Sequence, residues 1–96
     1  MAKFELNIYN HDAVEKTYTA ERCPWGLYVE AADVYENIKK MTGKQVMQSV
    51  EGIMVQLFEG LTREEMQKAD GGEVMSLFAR IVSDNATNGS KAIKNA

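Results

Sequence analysis

His11 and Asp12 stand side by side, and an imidazole oriented by a carboxylate is the pair from which a general base is built. Both fall inside Asn10-His11-Asp12, a run of turn-forming residues, and neither serine nor cysteine stands beside them as a nucleophile. The pair therefore reads as a turn. Cys23, before Pro24 and Trp25, would react as a thiolate if a helix N-terminus lowered its pKa. The only imidazole is distant in sequence, so Cys23 reads as a small, half-buried residue at a joint between strand and helix. Glu64, Glu65, Asp70 and Glu73 do not follow the alternating spacing of a calcium loop; they read as helix-start carboxylates that answer the helix dipole. Gly71-Gly72 precedes no Lys-Ser or Lys-Thr, and Glu73 would repel a phosphate. One histidine and one cysteine argue against a zinc site and against an internal disulfide framework. No catalytic residue, metal ligand or cofactor-binding residue is expected.

The elements that would carry a site are easier to read. Phe4, Leu6 and Ile8 alternate with Lys3, Glu5, Asn7 and Tyr9, the period of a strand with one buried face. After the turn, Val14, Lys16 and Tyr18 alternate with Glu15, Thr17 and Thr19, which makes residues 3–20 a hairpin whose second strand is partly exposed at Lys16. The period then becomes 3.6. Leu27, Tyr28, Ala31, Val34, Tyr35, Ile38 and Met41 share an arc, which predicts a helix over about 24–41 that opens at Pro24 and ends on Thr42-Gly43. Val46, Met47, Val50, Ile53, Met54, Leu57 and Phe58 predict a second helix over 44–59, ended by Gly60. Thr62-Arg63-Glu64-Glu65 is a capping box, with Leu61 and Met66 as a hydrophobic staple, and starts a short helix over 63–69. Val74, Met75, Leu77, Phe78, Ile81 and Val82 predict the last helix over 72–83, and residues 84–96 read as a flexible tail. The fold class is α+β, mostly α: an N-terminal hairpin followed by about four helices in one domain, 1–83.

Composition limits the function further. The chain has 96 residues, 45% hydrophobic and 26% charged, with a net charge of −3. It has no apolar run of about 20 residues to span a membrane, and no signal-peptide core, so a cytosolic protein is expected. That also discounts the glycosylation patterns at Asn85 and Asn88. The acidic balance argues against nucleic acid. Six methionines are the one oddity, and the five internal ones suit either core filling or a pliant contact surface. Four residues are read as partner contacts. Val29 and Val55 stand on polar helix faces, and Tyr9 lies on the outer face of its strand. Trp25 belongs in the core by general burial tendency, but tryptophan is also enriched at binding hot spots.

The order of features in Pro24-Trp25-Gly26-Leu27-Tyr28-Val29-Glu30-Ala31, Val55-Gln56-Leu57-Phe58-Glu59-Gly60-Leu61-Thr62 and Asp70-Gly71-Gly72-Glu73-Val74-Met75-Ser76-Leu77-Phe78 resembles the tail assembly chaperones of long-tailed phages and prophages of Gram-positive bacteria, over roughly residues 3–83. The resemblance implies a protein that is not an enzyme and works in the cytoplasm of the host bacterium. It implies binding to the tape measure protein, which is long, helical and hydrophobic, while tail tube protein assembles around it, and absence from the finished virion. It further implies homo-oligomers, as spirals or rings, and in many members a longer frameshifted form, for which residues 84–96 would suit the junction. The family supplies no residue-level motif to carry over. The alternatives are a structural phage module, such as a head-tail joining protein, and a small cytosolic protein-interaction domain.

Overall fold

The computed structural model describes the backbone of residues 3–95 and the side chains of residues 3–83; the expected flexible tail, 84–96, lies outside the described side chains. Strands β1 (Phe4–Asn10) and β2 (Ala13–Ala20) form an antiparallel hairpin. Helices α1 (Trp25–Asn37), α2 (Gly43–Leu57), α3 (Arg63–Met66) and α4 (Gly71–Asn95) follow, with a 3-10 turn at Ile38–Lys40. The architecture is α+β and mostly helical, as the periodicities predict.

The hairpin departs from simple alternation. His11 takes φ 58, the left-handed region that a two-residue reversal requires. Ile8 pairs with Lys16 but Tyr9 with Val14, so Glu15 is an extra residue, a β-bulge. The bulge moves Val14 off the face it was expected to share with Tyr18 and sets it opposite Tyr9, where it is 52% exposed. Tyr18 is the one buried residue of β2. The inner face belongs to β1, whose Phe4, Leu6 and Ile8 are at most 1% exposed.

Three helices cover that face. Leu27, Ala31 and Val34 of α1, Val46, Val50, Ile53, Met54 and Leu57 of α2, and Val74, Leu77, Phe78 and Ile81 of α4 join the strand residues in one core. The free side of β1 is closed as well. Tyr9 donates its N–H to the Lys68 carbonyl at 2.9 Å, Ile8 bridges to Ala69, and the Arg80 guanidinium reaches the Lys3 carbonyl. The open edge of the two-stranded sheet is therefore that of β2.

Several helix boundaries are corrected. Helix α4 runs on to Asn95, beyond the expected end at 83. Thr42-Gly43 does not end the first helix; it starts the second. Thr42 Oγ1 accepts the Gln45 N–H at 3.1 Å, and Gln45 Oε1 accepts the Thr42 N–H at 2.9 Å, a reciprocal capping box. Gly43 opens α2 rather than providing a left-handed cap; the glycine in that region is Gly60, at φ +88, beyond the end of α2. Helix α3 is shorter than expected because the chain after Met66 turns to reach β1. Its capping box forms as expected, between Thr62 and Glu65, with Leu61 buried and Met66 half-buried against the core.

Candidate interaction surface

The polar groups that suggest chemistry are held by structure. His11 and Asp12 sit exposed at the hairpin tip, on the rim of an open depression of about 490 Å³ that Tyr9, Lys68 and Asp70 also line. The Tyr9 phenol donates to Glu73 Oε2, and Asn7 Nδ2 donates to Glu73 Oε1 at 3.3 Å. Glu73 thus stands in the first turn of α4, as expected, but directs its carboxylate to the hairpin; this bond is the main reason the Tyr9 phenol is held above its ordinary pKa. Asp70 caps α4, accepting the Glu73 N–H at 2.9 Å. Cys23 is buried, and burial pushes its thiol up, away from the reactive thiolate. Among the described residues no group of three or more histidine, cysteine, aspartate or glutamate side chains is placed to hold a metal ion, and no polar or charged residue is buried. No described helix is long and apolar enough to cross a membrane.

Apolar side chains open to solvent are the distinctive surface feature. Trp25 is 74% exposed and Val29 51%, one turn apart on the side of α1 that faces away from Leu27, Ala31 and Val34. The other two expected contacts lie elsewhere. Tyr9 is half-buried, with its hydroxyl engaged by Glu73. Val55 is half-buried against the core, so its place among polar neighbours in sequence does not leave it free. The four do not form one patch.

Two exposed residues were expected in the core. Tyr35 is 56% exposed and Met47 55%. Each stands at the rim of its helix's apolar arc, where burial depends on whether a neighbouring helix reaches that far. Met47 does not stand alone. With Met66 of α3 and Met75 of α4 it lines an open groove of about 150 Å³, floored by Val50 and Val74 and bordered by Ala69, Gly71 and Glu51. Met41 is half-buried and Met54 fully buried. Three of the five internal methionines therefore meet at one groove, built from three elements. Periodicity within each helix shows an apolar arc but not that the arcs' edges converge.

No family model, no curated protein and no solved structure matches the chain. The surface speaks through its own chemistry: thioether and aliphatic groups that repack readily around an apolar guest.

Proposed function

We propose that the protein is a tail assembly chaperone of a long-tailed phage or prophage, a binding protein rather than an enzyme. It acts in the host bacterial cytoplasm and holds the tape measure protein soluble until tail tube protein assembles around it. The observation that carries this reading is the groove of Met47, Met66 and Met75. A long helical client presents apolar stripes of varying sequence. Methionine, unbranched and polarizable, fits such stripes without demanding one shape. Shallow, adaptable contacts also release the client when tube protein competes for it, whereas a deep pocket would retain it. The tube protein is a second, transient partner, and the chaperone works as a homo-oligomer, a spiral or ring that lines up many grooves along one client.

Co-expression with the tape measure protein of the same tail gene cluster, followed by sizing of the soluble fraction, tests the proposal. A soluble complex larger than either component is expected, and Met47→Glu together with Met75→Glu should return the client to the pellet. A client that stays insoluble beside the wild-type chain, or a chaperone recovered in mature particles, would sink it.

A further inference from the structure

Helix α1 is apolar on two sides, and among the described residues only one of them packs into the core. Its inward side carries Leu27, Ala31 and Val34. Its outward side carries Trp25 and Val29, with half-buried Tyr28 and Ala32 and exposed Tyr35 on the adjoining flank. At about 100° per residue, Trp25 and Val29 lie about 40° apart, so they form one ridge. A helix with apolar residues on both sides ordinarily has neighbours on both sides.

Charge distinguishes the possible neighbours. All the formal charges of α1 are negative: Glu30, Asp33 and Glu36, each exposed and spaced three residues apart, so that they drift across the helix from the flank at Glu30, past Asp33 beside the ridge, to Glu36 on the ridge's own line two turns beyond Val29. Glu30 accepts from Gln56 Nε2 of α2 at 3.2 Å and Asp33 from Asn37 Nδ2 at 3.2 Å, both neutral donors. Among the described residues none of the three forms an ion pair. The nearest basic residues in sequence, Arg22 before the helix and Lys39 and Lys40 after it, lie beyond its ends. A second copy packed ridge to ridge would bring another set of the same carboxylates to the seam, and like charges at an interface oppose association. A helix with an apolar stripe flanked by lysine or arginine satisfies both the ridge and the row.

We propose that the outward face of α1, the Trp25–Val29 ridge with the Glu30–Asp33–Glu36 row, docks a cationic amphipathic helix of another protein. This face shares no residue with the methionine groove. The inference does not depend on the identity of the client.

Trp25 is the single tryptophan of the chain, so its emission reports on the ridge directly. Two synthetic helical peptides with the same leucine stripe, one flanked by lysine and one by glutamate, are titrated into the full chain. The lysine peptide should shift Trp25 emission to the blue, saturably, with affinity that falls as salt rises; the glutamate peptide should leave it unmoved. Val29→Lys should weaken the lysine peptide about tenfold or more, the loss expected of an interface hot spot. Asp33→Lys with Glu36→Lys should reverse the preference between the peptides; both positions are exposed, and circular dichroism confirms that the variants fold. Equal binding of both peptides, or of neither, overturns the proposal. So does a blue shift produced by raising the protein concentration alone, which would assign the ridge to a second copy.

Discussion

The Tyr18 phenol donates to Glu65 Oε1 at 2.5 Å, joining the one buried residue of β2 to the carboxylate that caps α3. The same oxygen accepts the Thr62 N–H at 3.3 Å, and Lys16 Nζ lies 3.7 Å from Oε2 and 4.6 Å from the centre of the Tyr18 ring. One glutamate thus serves a helix start and a strand at once, which is how the hairpin's exposed second strand is tied to the helical body.

This junction predicts acid sensitivity. The Tyr18 hydroxyl, above all, and the Thr62 backbone N–H hold the Glu65 carboxyl below its ordinary pKa. A carboxyl depressed in the folded state stabilises the fold above its unfolded value of about 4.3, and that contribution is lost as pH falls through the folded value. The urea midpoint of the wild type should therefore drop on acidification below about pH 4.3 more steeply than that of Tyr18→Phe, which should already be less stable at neutral pH. Parallel pH profiles for the two proteins would refute the assignment.

The start of α2 predicts opposite effects at neighbouring positions. Thr42→Ala removes the capping oxygen and should cost about 1 kcal/mol. Gly43→Ala should stabilise by about 0.4–1 kcal/mol, because the position is helical and a Cβ there meets nothing within 4 Å. If Gly43 were a left-handed cap, the alanine would destabilise instead. Denaturant melts of the two variants decide it.

At Gly60 the same substitution should do harm. With φ +88, an alanine Cβ is strained by the backbone itself, at about 1–2 kcal/mol, although the nearest side-chain atom, Tyr18 Cε1 at 3.8 Å, leaves room. Gly60→Asn should lose less than Gly60→Ala, since asparagine tolerates this region better. Equal thermal midpoints for wild type and alanine variant would contradict the geometry.

Peroxide should read the methionines in order of exposure. Of the five internal methionines, Met47 should oxidise first, Met41, Met66 and Met75 more slowly, and Met54, at 0% exposure, only as the protein unfolds. Peptide mapping by mass spectrometry measures the order. Bound client should protect Met47, Met66 and Met75 while leaving Met41 unchanged; uniform protection would point to a global change in stability rather than to occupancy of the groove.

Much of this architecture was legible beforehand for local reasons. Phe4, Leu6 and Ile8 alternate because a strand buries every second residue. Val46, Val50, Ile53 and Leu57 recur because a helix buries one side. Thr62 to Glu65 announces a helix start, and Thr42 to Gln45 carries the same signature and was open to the same reading. Of the expected contacts, Val29 was legible as an apolar residue on a polar face.

What lies between elements was not legible. The bulge at Glu15 reverses Val14 with no mark in the sequence, because register belongs to the pair of strands rather than to either one. Glu73 reaches the hairpin, and Tyr35 and Met47 stay in solvent, because of what the folded chain sets beside each of them. Met47, Met66 and Met75 come from separate helices and meet only after the chain has folded back on itself. By itself, then, the sequence determines the elements, their order and their buried sides, since those follow from local backbone periods and caps. The tertiary structure alone decides which apolar residues are left uncovered, and where they converge, because exposure is a property of what packs against a residue and not of the residue itself.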